Sequence, residues 1–295
     1  MARRKRVTGT GERRYRVGLT SWETEFSSLD GLRLKGTFTA GEGAVAPTHV
    51  VVLVHGGGVD REEGGFASRM ADGLARAGAA SLRFDLRGHG SSQGEQKDLT
   101  LSGVVNDIRS AVEHAKEQVP GAPGGVSLLG ASFSGGLSAF YTAHYPESIT
   151  ALVLVNPLID YKKRFIDDKP YWEADRIAPE EGEALLQNGF VPHSPTFRLG
   201  RALLNEVFYI RPDQALSSVR CRTLVIHGTA DSFIPVESSR RAVEQIAGPA
   251  RLWEIEGAQH GIAIPNDPGY GDPQTQKWQA EAITEVSEWV TQSRA

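Results

Sequence analysis

The sequence predicts an α/β fold built on a doubly wound, mostly parallel sheet, and two patterns lead to this prediction. The first is a series of short, continuous apolar runs, which is typical of strands buried on both faces of a parallel sheet. The second is the helical periodicity of the segments between those runs, which right-handed βαβ crossovers require. The runs lie at residues 50–54, 81–84, 126–129, 151–155, 223–226 and 251–255.

The elements on either side of these strands follow from local signals. Residues 22–27 and 32–39 are strand-like and are separated by the turn dipeptide Asp30-Gly31, which predicts an antiparallel hairpin at one edge of the sheet. The clearest helix has apolar residues at three- and four-residue spacing from Leu101 to Val119, and Pro120 ends it. Further helices are predicted around residues 137–144 and 282–290.

One stretch interrupts the alternation of strands and helices. Residues 158–222 separate two predicted strands by far more than an ordinary crossover connection needs, and they are rich in aromatic side chains. We interpret them as a small cap insertion over the carboxyl ends of the strands. The core would then consist of residues 19–157 and 223–295, preceded by a basic, disordered tail at residues 1–18.

Charge and composition exclude several classes of function. The 295 residues carry a formal net charge of −4, although residues 1–18 contain seven basic side chains and one acidic one, so a basic nucleic-acid surface is not predicted. The tail lacks an apolar stripe, which favours a solvated arm over contact with an acidic partner or a membrane. No apolar run approaches the ~20 residues that span a bilayer, and Cys221 is the only cysteine. We therefore expect a cytoplasmic protein without disulfides.

The strongest chemical signal is a serine between a buried strand and a helix. Residues 130–134 read Gly-Ala-Ser-Phe-Ser, and this strand–turn–helix context is what a nucleophile elbow requires. Small neighbours allow a strained turn and close packing of the helix. The fifth position of the motif is usually glycine, and Ser134 stands there, which leaves Ser134 as an alternative nucleophile. The position of the strand end favours Ser132.

Backbone amides beside this serine are candidates for an oxyanion hole. Residues 55–58 read His-Gly-Gly-Gly after a buried strand, and glycines there let N–H groups approach a developing negative charge. Gly57 is the preferred donor from this loop and Gly58 is the second choice. The amide of Phe133, directly after Ser132, would supply the other donor.

An acid and a base are predicted after the last two core strands. Asp231 lies in the loop after strand 223–226, where a carboxylate can hold an imidazole in one tautomer. His260 lies in the loop after the last strand, and a histidine with a pKa of about 6.5 exchanges protons near neutral pH. Of the eight histidines, His260 alone follows the acid in a loop at the appropriate end of the sheet. His89, in the loop at 84–92, is interpreted as structural.

The chain order Ser132, Asp231, His260 is that of the α/β-hydrolases. With the segments around His55 and at residues 85–90, it makes the chain from the hairpin to the C-terminus resemble that family. The short cap and its position are similar to those of the cinnamoyl and feruloyl esterase branch. The resemblance implies that Ser132 is the nucleophile, His260 the general base and Asp231 the acid that orients it. Residues 1–18 are not covered by it.

The expected activity is that of a serine esterase acting on a small molecule. Ser132 would attack a carboxylic ester or thioester and form an acyl-enzyme that water hydrolyses, without a metal or an organic cofactor. Cap aromatics such as Trp172, Phe190 and Phe208 are candidates for substrate contact. The same triad also serves acyltransferases, thioesterases and eliminating lyases of biosynthetic pathways, and a non-catalytic ligand-binding protein with this fold is a further alternative.

Overall fold

A computed structural model describes residues 18–42 and 46–292. Within these ranges the strands are β1 (Leu19–Ser27), β2 (Arg33–Gly41), β3 (His49–Val54), β4 (Ala79–Phe84), β5 (Val126–Ala131), β6 (Ala151–Val155), β7 (Trp172–Glu173), β8 (Arg176–Ile177), β9 (Phe190–Ser194), β10 (Phe197–Gly200), β11 (Arg222–Gly228) and β12 (Ala250–Ile255). The helices are α1 (Phe66–Arg76), α2 (Leu101–Gln118), α3 (Phe133–His144), α4 (Pro179–Asn188), α5 (Arg201–Glu206), α6 (Pro212–Ala215), α7 (Glu237–Gln245) and α8 (Pro273–Thr291).

The central sheet has the strand order β1-β2-β4-β3-β5-β6-β11-β12. The pairs β1–β2 and β2–β4 are antiparallel, and every other neighbouring pair in this sheet is parallel. Gly31 lies in the hairpin turn with a φ of 87°, a conformation that favours glycine. The predicted α/β fold, with a mostly parallel sheet and an antiparallel hairpin at its edge, is confirmed.

The core strands are continuously apolar because helices cover both faces of the sheet. Alternate residues of β3 divide between the faces: Val50 and Val52 pack in the cluster that includes side chains of α2 and α3, whereas Val51 and Leu53 pack with α1 and α8. Each fully buried aliphatic side chain of this kind contributes roughly 1.5–3 kcal/mol of transfer free energy. This two-sided burial removes the polar alternation that a half-exposed strand would show.

The segment between β6 and β11, which contains the predicted cap, is built from short elements. It contains a π-helical turn at Lys163–Asp167, the two-stranded pairs β7–β8 and β9–β10, and helices α4 to α6. The β9–β10 hairpin is joined to the core where the Arg198 amide donates to Gln96 Oε1 at 3.1 Å. Phe197 of β10 and His193 of β9 line a cavity together with Ser132, so this hairpin lies beside the carboxyl ends of the strands.

The predicted basic tail lies outside the described residues, apart from Gly18. Among the helices of the described part of the chain, none combines the length and the apolar character that crossing a membrane requires.

Candidate active site

Ser132 occupies a strained turn between β5 and α3. Its φ of 49° and ψ of −119° are unusual for a residue with a side chain. The glycines around it explain how the turn is accommodated: a Cβ at Gly130 would lie 2.4 Å from Ser138 Oγ, and one at Gly135 would lie 2.5 Å from Pro157 Cβ. Close packing of α3 on β5 therefore fixes the serine at the tip of the turn.

The three side chains predicted as a triad form one hydrogen-bonded chain. Ser132 Oγ lies 2.9 Å from His260 Nε2, and His260 Nδ1 lies 2.7 Å from Asp231 Oδ2. The acidic side chain is fully buried, whereas 30% of the His260 side chain is exposed. With Nδ1–H donated to the carboxylate, Nε2 is free to accept the serine proton.

The Asp231 carboxylate is held by several donors besides His260. Its Oδ1 accepts the amides of Phe233 at 2.8 Å and Ile234 at 2.9 Å, and its Oδ2 accepts the Asn156 side-chain amide at 2.6 Å. Burial alone would raise the pKa of Asp231, but hydrogen bonds from His227 and His260 outweigh it and hold the pKa well below its usual value. The carboxylate therefore stays ionised while it orients the imidazole.

The loop that carries His260 is fixed from two sides. The Gln259 amide donates to the Ala263 carbonyl at 2.7 Å, and the Gln279 side chain of α8 donates to the Gly261 carbonyl at 2.9 Å. Gln259 Oε1 also accepts the amide of Ser232 at 3.2 Å, which ties the base loop to the acid loop. These contacts hold the backbone on both sides of His260.

The two amides preferred for the oxyanion hole are free of acceptors within the described part of the chain. Gly57 and Phe133 line a cavity with Ser132, and neither amide has a hydrogen-bond acceptor there. The Gly58 amide, the second choice in the loop, donates to His89 Nε2 at 3.1 Å. A Cβ at Gly57 would lie 2.6 Å from the Phe197 ring, so only glycine fits under this aromatic residue.

Two histidines hold the glycine loop in place. His55 Nε2 accepts the Leu86 amide at 3.0 Å, while its Nδ1 lies 2.7 Å from the Gly56 carbonyl. His89 is arranged similarly, with Nδ1 2.9 Å from the Arg87 carbonyl. Burial, with the neighbouring His89, lowers the pKa of His55 to about 4, and burial also lowers the pKa of His89. Both rings are therefore neutral supports of the loop near neutral pH.

Ser134, the alternative nucleophile, has its hydroxyl turned into the core. It is fully buried, and its Oγ lies 2.7 Å from the Val54 carbonyl and 3.0 Å from the Ala131 carbonyl. In the structure this hydroxyl links β3 to the start of α3.

Two cavities of unequal size open beside Ser132. The larger, of about 410 Å³, is bounded by His260, Gly56 and Glu63 and by apolar side chains such as Phe66 and Met70 of α1. The smaller, of about 30 Å³, lies toward Phe133, Phe197 and His193. His260 borders the larger cavity and is absent from the lining of the smaller one.

Comparison with known proteins identifies the family. A model of the family described as serine aminopeptidase, S33, matches residues 45–268, which is more than half of the chain. The chain belongs to this family. The match includes Ser132, Asp231 and His260, and this S33-family protein is a hydrolase of the α/β-hydrolase fold, as its resemblance implied.

Relatives of this S33-family hydrolase include lipases and esterases. It is 26% identical to a monoacylglycerol lipase of Mycolicibacterium smegmatis, over 93% of this chain and 98% of that protein. Among solved structures, Est1E of Butyrivibrio proteoclasticus with ferulic acid bound has a TM-score of 0.72 and 20% identity, covering 91% of this chain and all of the other. Alpha/beta hydrolase domain-containing protein 10 from mouse has a TM-score of 0.67 and 17% identity, with 90% and 97% coverage.

The aromatic residues around Ser132 in this S33-family hydrolase are not those singled out from the sequence. Trp172, Phe190 and Phe208 are absent from the lining of both cavities beside Ser132. Trp172 packs near Phe208, with ring centroids 6.2 Å apart, and Phe190 lies under the Arg198 guanidinium. Aromatic content alone could not distinguish side chains that pack within the cap from those that face the site.

Two further residues of the site, Asn156 and His227, were missed by sequence reasoning. Asn156 follows β6 with a φ of 43° and donates to Asp231, and His227 Nε2 lies 3.3 Å from the same carboxylate. Both stand at the carboxyl end of a predicted strand, which is the one signal that could have indicated them. Among the described residues, no group of three or more His, Cys, Asp or Glu side chains is arranged to hold a metal ion.

Proposed function

We propose that this chain hydrolyses carboxylic esters through an acyl-enzyme formed on Ser132. The observation that carries the proposal is the continuous hydrogen-bonded array from Ser132 Oγ through His260 to Asp231, at 2.9 and 2.7 Å. Such an array supplies a nucleophile, a base that takes its proton and an acid that orients the base.

In the first half-reaction, Ser132 Oγ bonds to the ester carbonyl carbon while His260 Nε2 takes the hydroxyl proton. The carbonyl oxygen becomes negative and accepts the amides of Gly57 and Phe133, whose hydrogen-bonding capacity is otherwise unused within the described chain. The carbon–oxygen bond to the alcohol then breaks, and the imidazolium returns the proton to the leaving oxygen. The alcohol departs and the acyl group remains on Ser132.

In the second half-reaction, water replaces the alcohol. His260 takes a proton from the water as its oxygen bonds to the acyl carbon, and the same two amides stabilise the oxyanion. The bond to Ser132 Oγ breaks, the serine recovers its proton from His260, and the carboxylic acid is released. Asp231, whose pKa is held low, stabilises the imidazolium in both halves.

The relatives support esters as the substrate class. The aligned monoacylglycerol lipase spans nearly the whole chain, and an oxygen ester is the bond that its name indicates. The apolar lining of the larger cavity suits a substrate with hydrocarbon character.

Labelling with a fluorophosphonate tests the nucleophile. We expect the parent protein and Ser134→Ala to be labelled and Ser132→Ala to remain unlabelled, because only the Ser132 hydroxyl lies beside His260. Labelling that persists in Ser132→Ala and disappears in Ser134→Ala would reject the assignment.

Turnover of p-nitrophenyl acetate tests the base. His260→Ala should lower kcat by about 10⁴-fold or more, since triad members act as a unit. An aminoacyl p-nitroanilide assayed in parallel examines peptide-like amides, and turnover of the amide alone would contradict the ester proposal.

A further inference from the structure

Glu63 is a carboxyl group in the substrate cavity that the triad mechanism does not use. It lies between the glycine loop after β3 and the start of α1, and it lines the cavity of about 410 Å³ with Ser132 and His260. A Cβ built on Gly56 would be 3.6 Å from Glu63 Oε1 and 3.6 Å from Ser132 Oγ. The carboxyl and the Ser132 hydroxyl therefore both lie beside Gly56.

The backbone around Glu63 is held in an unusual conformation. Glu63 has a φ of 46°, and Gly64 and Gly65 follow with values of 63° and 88°. Three consecutive left-handed residues are costly when the first carries a side chain, and such strain clusters at ligand sites.

No cation neutralises this carboxyl among the described residues. Arg61 borders the same cavity, but its guanidinium is engaged by Asp85 at 2.6 Å and by Glu23 at 2.9 Å. Burial, with a smaller effect from Asp60, raises the pKa of Glu63 to about 7, although the Gly56 amide opposes the rise. The group thus sits in the cavity with hydrogen-bonding capacity that a substrate could use.

The position of His260 indicates which part of the substrate reaches Glu63. His260 must deliver a proton to the leaving oxygen, so the alcohol part of an ester lies on the side of Ser132 that His260 borders. That side is the larger cavity, and Glu63 lines it, whereas neither residue lines the smaller cavity.

We propose that Glu63 is a specificity-determining residue that accepts a hydrogen bond from a hydroxyl or ammonium group on the alcohol part of the substrate. The inference rests on the proposed function, because it takes Ser132 as the nucleophile and His260 as the proton donor to the alcohol. A site that accepts such a bond discriminates against an analogue with a methyl group in the donor's place, because the methyl group displaces water from the carboxyl without replacing the hydrogen bond.

Three acetate esters with matched alcohol parts test the proposal. Propyl acetate and 2-hydroxyethyl acetate differ only in a terminal methyl or hydroxyl, and 2-(dimethylamino)ethyl acetate carries a protonated amine. In the parent protein we expect kcat/KM for at least one of the donor esters to exceed that for propyl acetate by about tenfold or more. The ester that shows the preference identifies the donor as hydroxyl or ammonium.

Variants of Glu63 separate substrate binding from support of the loop. Glu63→Met should reduce the ratio of kcat/KM for the favoured ester to kcat/KM for propyl acetate by about tenfold, mainly by raising KM for the favoured ester. Glu63→Gln keeps an acceptor oxygen, so it should retain a hydroxyl preference and lose an ammonium preference. The control is Glu62→Met, because Glu62 pairs with Arg83 and does not line the cavity.

Two results would overturn the proposal. Equal kcat/KM for the three esters in the parent would eliminate the donor-binding site. A fall in kcat for all three esters alike in both Glu63 variants would assign Glu63 to holding Gly56 instead. Failure of the proposed function is distinct, since the parent would then turn over none of the esters or Ser132→Ala would turn them over unchanged.

Discussion

Asn156 helps to position the Asp231 carboxylate, although the strand that it follows, β6, leads to none of the three triad residues. It follows β6, its backbone amide donates to the Ile226 carbonyl of β11 at 2.9 Å, and its side chain donates to Asp231 Oδ2 at 2.6 Å. It therefore joins the end of β6 to the acid loop after β11. Hydrogen bonds to a charged group contribute roughly 1.5–3 kcal/mol, so this one contact is a substantial part of how the carboxylate is held.

Asn156→Asp should impair the triad without altering the turn. Aspartate tolerates the φ of 43° that Asn156 adopts, but it removes the donor and sets a second carboxylate against Asp231. We expect kcat for an activated ester to fall about tenfold or more, with a smaller change in KM. Asn266→Asp is the control, because Asn266 also has a positive φ of 61° and is exposed. Equal effects of the two substitutions would contradict a role for Asn156 at the site.

At the residue scale, the sequence could indicate the three residues of the proposed triad but not the residues that hold them in place. Ser132 and His260 were predictable because each lies after a strand that has a clear apolar run, Ser132 in the turn after β5 and His260 in the loop after β12. Asn156 and Glu63 could not be recognised, because their roles depend on contacts across the strand ends and on backbone conformation. No local pattern encodes a contact between residues 75 positions apart, as Asn156 and Asp231 are.

The unit formed by β5 and α3 is packed so closely that it tolerates little change. Gly135 of α3 contacts Pro157, which follows β6, and Gly136 contacts the Leu158 carbonyl. These contacts fix how closely the start of α3 approaches residues 157 and 158, and they thereby fix the positions of Ser132 and the Phe133 amide.

Gly135→Ala should therefore destabilise the fold and lower activity together. The added Cβ would lie 2.5 Å from Pro157 Cβ, and overpacking of this kind costs about 1–3 kcal/mol. For a chain of this size we expect Tm to fall by about 2–10 °C in a thermal melt. Gly269→Ala has open space around its Cβ and should leave Tm nearly unchanged. A parental Tm for Gly135→Ala would show that α3 shifts freely.

How well each strand or helix could be predicted depends on whether its own residues show the pattern that its burial produces. Core strands such as β3 and β6 were predicted to within a residue or so, because burial on both faces leaves an unbroken apolar run. Helix α1 was missed although its buried residues, such as Phe66, Met70 and Leu74, recur at helical spacing; it also contains Gly73, where a Cβ would lie 2.1 Å from Ile283 Cγ2 of α8. That glycine is explained only by the helix across from it.

The molecule as a whole contains buried histidines that must remain neutral for the site to persist. His55 and His89 each accept a backbone amide at Nε2, and a proton there would break that bond. Burial lowers the pKa of both, that of His55 to about 4, whereas an unfolded histidine takes a proton near pH 6.5, at about its ordinary value. The unfolded chain therefore binds more protons between these values, and acid favours unfolding.

We accordingly expect the contribution of these two histidines to the free energy of unfolding to be greatest above about pH 6.5 and to be lost as the pH decreases toward 4. Chemical denaturation at a series of pH values measures this. His89→Gln, whose side-chain oxygen can accept the Gly58 amide but cannot be protonated, should flatten the decline. His144→Gln, at an exposed position on α3, should leave it unchanged. If the free energy of unfolding of His89→Gln decreased as steeply with pH as that of the parent, protonation of His89 would not contribute to the decrease.

The order of the strands also has a consequence for how the chain becomes active. The hydrogen bond between Ser132 and His260 joins residues 128 positions apart, and His260 belongs to the loop after β12, the last strand to be synthesised. Ser132 and Asp231 can be in place before this strand docks, but His260 cannot. Under the proposed mechanism turnover begins only after this docking, so an esterase assay during refolding would time the docking of the last strand and helix.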